Sequence, residues 1–337
     1  MNEIGVLGAG SFGTAIAQHA AAAGHPTRLW ARRADQAHEM TAHRENRLYL
    51  PGVAFSELLE VTTDLDQLLD ADPLVVAVPS HGFRAVLGEL LARRKSRAPL
   101  TVVSATKGIE IESLARMSRV TQEEGERAAT PVRFAVLSGP TFAAELARGM
   151  PSAAVVASTD EEVAAGLRHA LATRTLRLYS SGDVVGVELA GTAKNVIAIA
   201  AGVLAGLGLG HNTMAALITR GLHEMTRLAV ASGGDPETLR GLAGLGDLVL
   251  TCTGGLSRNR RVGLDLARGR TLAEIQGGTS EVAEGVRSSL ALRRLAEERG
   301  VEMPIVEQMT AVMYEGKSPE SALEYLMTRE LKDEARL

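Results

Sequence analysis

Six residues near the N-terminus, Gly8-Ala9-Gly10-Ser11-Phe12-Gly13, constrain the fold more than any other feature of this chain. They follow an apolar run, Ile4-Gly5-Val6-Leu7, that reads as a strand, and they open an alanine-rich stretch over residues 13–24 that reads as a helix. In that context a G-x-G-x-x-G pattern is a strand-to-helix turn in which each glycine has its own task. Gly8 permits the tight turn, Gly10 lets the backbone approach a pyrophosphate, and Gly13 lets helix and strand pack closely. The free N–H groups of the helix start then face the phosphates. A bare turn without a ligand is the competing reading, and the flanking strand and helix argue against it. About twenty positions on, a site strict for NAD carries a carboxylate. This chain has Arg32-Arg33 there, after Leu29-Trp30-Ala31. A guanidinium pairs with a 2′-phosphate through two parallel hydrogen bonds, so the expected cofactor is NADP(H) or NAD(H). The alternative for either arginine is a solvated position opening a helix.

Further apolar runs at residues 26–31, 73–78, 100–105 and 133–137 alternate with helical patterns. Continuous apolar runs suit strands covered on both faces, and strand–helix alternation implies a parallel, doubly wound sheet. From about Val184 the pattern becomes helical and β-branched runs thin out. Asp235-Pro236 and Ser318-Pro319 each place an N-cap before proline at the first helical position, and Pro304 and Gly316 can open and close another helix. The expected fold class is therefore α/β. A Rossmann-type doubly wound sheet over residues 1–183 binds NAD(P), and an all-α domain over 184–337 binds substrate, with the ligand expected in a cleft where they join.

The chain has 337 residues, a net charge of −4, one cysteine and eight histidines. That charge gives no bulk attraction to nucleic acid or to an anionic membrane, so an anionic ligand needs local cations and backbone N–H groups. A lone Cys252 excludes a disulfide framework, and the histidines lack ligand spacing, so no metal is expected. Cys252 has no histidine or second cysteine beside it and reads as a packing residue. The N-terminus lacks the pattern of a signal peptide, and no window is expected to reach the apolar length of a membrane span. The cytoplasm is the expected location. The apolar helical half is compatible with a homodimer without requiring one.

The remaining candidate residues sit after strands or inside helices. Lys107 follows the run at 100–105, at the carboxyl edge where ligands bind in open α/β sheets; it could hold a phosphate, polarise a carbonyl, or be an ordinary loop lysine. Ser138-Gly139-Pro140-Thr141 follows the next run and leads into a short helix at 142–148, which is either an anion-binding turn or a plain capped one. Lys194 lies in a nearly apolar helix, on one face with Gly191, Asn195 and Ala198. It is either a desolvated ammonium suited to proton exchange or a lysine whose stem packs while its head reaches solvent. Asp247, amid Gly244-Leu-Gly-Asp-Leu-Val-Leu-Thr251, is a natural partner for such a lysine or else a helix cap. Ser257-Arg258-Asn259-Arg260-Arg261 reads as an N-cap and an arginine cluster at a helix start, hence as an anion site or a solvated basic face.

In order and spacing, these motifs together with Val78-Pro79-Ser80-His81, Phe142-Ala143 and Val196-Ile197 resemble the bacterial NAD(P)-dependent glycerol-3-phosphate dehydrogenases over nearly the whole chain. The resemblance implies hydride transfer between NAD(P)H and dihydroxyacetone phosphate, giving sn-glycerol 3-phosphate for glycerophospholipid synthesis. It implies that Lys194 exchanges the proton of the substrate oxygen. It implies triose-phosphate contacts at Lys107, Gly139, Thr141, Lys194, Asp247, Ser257, Arg258 and Asn259, with Asn195 and Thr251 as further contributors. It also implies cofactor contacts at Ser11, Phe12, Arg32, Arg33, Tyr49, Lys107, Ala143, Arg258, Val282 and Glu284, beside Gly8, Gly10 and Gly13. Arg32-Arg33 falls where the family varies, which leaves the choice between NAD and NADP open; Gly254-Gly255 falls at another variable place. Two other readings compete. One is a dehydrogenase of the β-hydroxyacid or 6-phosphogluconate type, which acts on carboxylates; the other is a non-catalytic NADP-binding sensor. The arginine cluster disfavours the first, and the presence of both Lys194 and Asp247 disfavours the second.

Overall fold

The computed structural model describes residues 3–277, 283–330 and 333. They fall into two compact units: Met1–Lys107 with Ala115–Val184, and Gly108–Leu114 with Val185–Leu337. The short piece from the first half joins the second unit because Ile109 is buried in the helical core and Arg294 donates to the Ile111 carbonyl at 2.8 Å.

The described residues of the first unit build one eight-stranded sheet. Its strands are β1 (Ile4–Leu7), β2 (Thr27–Trp30), β3 (Leu59–Thr62), β4 (Leu74–Val76), β5 (Leu100–Ser104), β6 (Val132–Ser138), β7 (Ser152–Ala157) and β8 (Leu176–Ser181). Their order is β3-β2-β1-β4-β5-β6-β7-β8. Helices α1 (Ser11–Ala22), α2 (Ala34–His43), α3 (Ser80–Arg93), α4 (Met117–Arg127), α5 (Ala143–Ala147) and α6 (Glu161–Leu171) cover it. Alternation within each strand divides the core in two. Ile4, Val6, Leu29, Val75 and Val103 pack into one cluster with residues of α1, α2 and α6. Leu7, Trp30, Leu74, Val76 and Val102 pack into another with Phe83, Leu87 and Val120 of α3 and α4. Helices on both faces leave the strands no wet side, which is why they read as unbroken apolar runs.

The sheet departs from the expected all-parallel form at one place. β1 to β6 are parallel, but β7 runs antiparallel to β6, and β8 follows β7 in parallel. The link from β6 to β7 contains only the five-residue α5, too little for a full crossover, so the chain turns back on itself. The order reverses between β1 and β4, the switch point at which the carboxyl edge of such sheets takes ligands. The Gly8–Gly13 loop leaves β1 at that point, and Lys107 and Gly139 follow β5 and β6 on the same edge.

The second unit is helical: α7 (Val184–Gly206), α8 (His211–Ala231), α9 (Pro236–Arg240), α10 (Asp247–Thr253), α11 (Arg258–Ala267), α12 (Leu272–Gly277), α13 (Glu284–Arg299), α14 (Pro304–Tyr314) and α15 (Pro319–Met327). The expected caps form, with Asp235, Ser257 and Ser318 each accepting a backbone N–H at the start of its helix. One expectation is overturned here: α7, at 23 residues, is long and apolar enough to cross a membrane by length and composition. Of its most apolar stretch 89% is buried, and a helix packed on every side is apolar all round because no face meets water. Helix α11 lies directly on α7. A Cβ at Gly202 would stand 2.0 Å from the Arg260 carbonyl oxygen, and one at Gly263 would stand 1.9 Å from that of Ile199. Only glycine at both crossing points permits this approach, and it brings the Ser257–Arg261 cluster onto the helix that carries Lys194.

Candidate active site

In the first unit the glycine loop has the geometry its spacing implies. Gly8 has φ +111°, in the region where side chains are strained. A Cβ at Gly13 would lie 1.9 Å from the Gly8 oxygen and 3.1 Å from Ala77 Cβ, whereas one at Gly10 would meet nothing within 4 Å. Two glycines thus hold helix against strand, and the third leaves open space above the turn. No side chain caps α1, and helix geometry gives the first-turn N–H groups of Phe12 and Gly13 no intrahelical partner. Space and unsatisfied donors at one helix start fit a pyrophosphate.

Beyond β2, the two arginines separate. Arg33 forms a fork on Asp35, with Nε–Oδ1 at 3.1 Å and Nη2–Oδ2 at 2.5 Å, and this hydrogen bonding holds the Asp35 carboxyl at about 2. Arg32 is exposed and has no hydrogen-bond or ion-pair partner among the described residues. Of the two guanidiniums, only that of Arg33 is engaged by a carboxylate. Tyr49 follows α2, and its N–H donates to Asn46 Oδ1 at 3.2 Å. At the ends of β5 and β6, Lys107 Nζ donates to the Gly139 carbonyl at 3.4 Å and stands 6.0 Å from the Phe12 ring centroid. Thr141 Oγ1 donates to the same carbonyl at 3.2 Å. The sheet thus brings together Lys107, Gly139, Thr141 and Phe12, and Ala143 opens α5 beside them.

In the second unit the two readings of Lys194 separate. Its side chain does not reach solvent: the residue is 5% exposed, and Nζ donates to Asp247 Oδ1 at 2.5 Å and Thr251 Oγ1 at 2.7 Å. Asp247 is 1% exposed and is the first residue of α10, one place past the N-cap position, which Gly246 occupies. A π-helical turn, Leu242–Gly246, delivers it to that place, an irregularity often found beside functional groups. Thr251, one turn on, donates to the Asp247 carbonyl at 2.6 Å, so its oxygen is left to accept from the lysine. An ammonium without a counter-charge would be very costly here; this one has a carboxylate and a hydroxyl.

The neighbouring residue starts a second polar chain. Asn259 Nδ2 donates to Asn195 Oδ1 at 3.0 Å, and the Gly285 N–H donates to Asn259 Oδ1 at 3.0 Å. This ties the start of α11, where Ser257 Oγ accepts the Arg260 N–H, to α7 and to the start of α13 at Glu284. Arg258 is half-buried in the first turn of α11. Val282 lies outside the described residues. Cys252 is a buried free thiol, pushed up to about 12 chiefly by burial, which suits packing and not nucleophilic attack.

Sequence reasoning missed Asn46 and Gln36. Both donate to the Ala9 carbonyl inside the glycine loop, at 3.0 and 2.8 Å. Nothing in Glu45-Asn46-Arg47 marks the residue, because the two partners of its amide nitrogen, Ala9 and Thr14, lie more than thirty positions away.

A switch-point glycine loop in one unit, and a buried lysine–aspartate pair beside an arginine-bearing helix start in the other, define the class: a nicotinamide-dependent dehydrogenase. Residues 3–164 match the family model for the NAD-dependent glycerol-3-phosphate dehydrogenase N-terminus, and residues 183–324 match that for its C-terminus. The chain is 49% identical over 336 residues to the glycerol-3-phosphate dehydrogenase [NAD(P)+] of Citrifermentans bemidjiense, covering 98% of each. It is 48% identical to that of Solidesulfovibrio magneticus, covering 98% of this chain and all of the relative. The crystal structure of the Coxiella burnetii glycerol-3-phosphate dehydrogenase superposes with a TM-score of 0.92 at 38% identity, covering 97% of this chain and 99% of that one. The chain belongs to the NAD-dependent glycerol-3-phosphate dehydrogenase family.

Proposed function

We propose that this enzyme interconverts dihydroxyacetone phosphate and glycerol 3-phosphate with NADPH or NADH, working in the direction of glycerol 3-phosphate and so supplying glycerophospholipid synthesis. The observation that carries the reading is the buried Lys194 ammonium, held between Asp247 and Thr251. We take residues 1–183 as the cofactor half and 184–337 as the substrate half. Gly8, Gly10 and Gly13, with the Ser11 and Phe12 N–H groups, hold the pyrophosphate. Arg32, then Arg33, hold a 2′-phosphate where there is one. Tyr49, Lys107, Ala143, Arg258, Val282 and Glu284 complete the contacts. When bound, the nicotinamide supplies or accepts the hydride; that chemistry belongs to the cofactor.

The protein's share is charge, position and one proton. Ser257, Arg258 and Asn259 bind the substrate phosphate at a helix start, with Gly139 and Thr141 as further contacts. Lys194, with Lys107 as a second cation, stabilises negative charge as it develops on the substrate's C2 oxygen. Lys194 Nζ donates a proton to that oxygen on reduction and accepts one on oxidation, while Asp247 keeps the ammonium oriented. The same reading puts the enzyme in the cytoplasm, with small molecules as its partners and a homodimer compatible with its apolar helical half.

Turnover of dihydroxyacetone phosphate, followed by NADPH absorbance, tests this. Lys194→Ala should lower kcat by about 10²–10⁴ while NADPH binding stays near wild type. Arg258→Ala should act mainly on KM for the triose phosphate. Near-wild-type kcat in Lys194→Ala would overturn the proton role, and preference for a 3-hydroxy acid over the triose phosphate would overturn the substrate.

A further inference from the structure

The Ala9 carbonyl sits between two side-chain amides. Gln36 Nε2, from α2, donates to it at 2.8 Å, and Asn46 Nδ2, from the loop after α2, donates at 3.0 Å. Together they occupy both lone pairs of that oxygen. Asn46 is 0% exposed and fully engaged. Its Nδ2 also donates to Thr14 Oγ1 on α1 at 2.8 Å, and its Oδ1 accepts the Tyr49 N–H at 3.2 Å. Gln36 is also buried.

A trans peptide is planar, with its C=O and N–H pointing in opposite directions. Fixing the Ala9 carbonyl therefore fixes the next N–H, that of Gly10, to point away from the amides. That N–H has no hydrogen-bond partner among the described residues, and Gly10 has open space where a Cβ would be. Glycine at this position gives the peptide freedom to rotate, so its orientation has to come from elsewhere.

We propose that Asn46 and Gln36 are positioning residues for cofactor binding: an amide clamp that locks the Ala9–Gly10 peptide so that the Gly10 N–H meets a pyrophosphate oxygen. Neither side chain touches the cofactor. The clamp acts before binding, by removing a rotation that the pyrophosphate would otherwise have to freeze, and so it lowers the cost of association. The proposal rests on the reading that the Gly8–Gly13 loop takes the pyrophosphate.

The test uses the full-length enzyme and two competitive inhibitors of NADPH. ADP-ribose carries the pyrophosphate, and adenosine 2′-monophosphate carries the adenosine and 2′-phosphate without it. Gln36→Met keeps the shape and removes one donor; Asn46→Ala removes the other, and the melting temperature of each variant is recorded alongside. In either variant that keeps its melting transition, the inhibition constant of ADP-ribose and KM for NADPH should rise about tenfold. The inhibition constant for adenosine 2′-monophosphate and kcat at saturating NADPH should stay within about twofold. A merely structural defect would weaken both inhibitors alike, and that result, or no change with either, overturns the clamp. Gly10→Val separates the two readings. If it leaves ADP-ribose binding intact, the loop assignment itself is wrong. If it abolishes that binding while Gln36→Met and Asn46→Ala are silent, only the clamp falls.

Discussion

The Lys194–Asp247 pair allows a prediction with a worked magnitude. Asp247→Asn keeps the shape of the side chain and removes its charge, leaving an ammonium that is 5% exposed against an amide and the Thr251 hydroxyl. At an effective dielectric of about 20, the lost attraction at 2.5 Å is about 7 kcal/mol before the changed solvation is counted. Removing one partner of a buried pair costs about 3–5 kcal/mol net. A second route sets a ceiling. Discharging a lysine of ordinary pKa at pH 7 costs about 5 kcal/mol, and the cost falls by about 1.4 kcal/mol for each pH unit. Because the unfolded chain keeps its lysine charged to near pH 10, the penalty of Asp247→Asn should shrink as pH rises from 7 to 9. The helical unit has about 150 residues, so the melting point should drop by roughly 6–20 °C at pH 7. Lys194→Met/Asp247→Leu, which removes both charges, should return to within about 2 kcal/mol of wild type while remaining inactive. Circular dichroism at 222 nm follows the helices of both units, most of them in the helical one, whereas fluorescence of the single tryptophan, Trp30, follows the sheet unit alone and serves as an internal control. If Asp247→Asn melts within about 1 °C of wild type, or if the double variant is as unstable as its two parents combined, the two charges do not compensate one another as argued.

Two further outcomes follow from other ion pairs and buried acids. Asp35→Asn releases the Arg33 guanidinium; an exposed pair of this kind is worth about 1 kcal/mol or less, so the ratio of kcat/KM for NADPH over NADH should rise by up to about fivefold, and a fall in that ratio would mean that Arg33 does not face the 2′-phosphate. Glu224 of α8 accepts the Ile305 and Val306 N–H groups at 2.7 and 3.3 Å, and burial pushes its carboxyl up to about 8. A folded-state pKa above the unfolded one gives stability that is complete below pH 4.5 and is lost as pH rises through 8; chemical denaturation from pH 5 to 9 should therefore show a decline that Glu224→Gln flattens, and an unchanged slope would exclude this carboxyl as its source.

Local chemistry determined a good deal of this protein by itself. The strand at Ile4–Leu7, the glycine turn and the helix after it are legible because every residue needed to specify them lies within some twenty positions. The proline and serine caps at Asp235, Ser257 and Ser318 are legible for the same reason, since a cap bonds two or three residues ahead. The strands that escaped notice lacked a strong local signal. β3 is four residues with a glutamate in it, β7 is half alanine, and β8 at the sheet edge alternates leucine with arginine and tyrosine. The reversal of β7 was equally invisible, because strand direction depends on how the link folds and not on the strand's own residues.

Tertiary structure alone decided the state of Lys194 and the role of Asn46. A lysine in an apolar helix reads the same whether it packs its stem and reaches water or is buried whole; an aspartate 53 residues away makes the second possible. Asn46 reads as a loop asparagine until the fold brings Ala9 and Thr14 to its amide, 37 and 32 residues back along the chain. The physical reason is the same in both cases. Patterns of side chains specify which face of an element is dry, but the net worth of a buried polar group depends on whether its partner arrives, and partners arrive through packing.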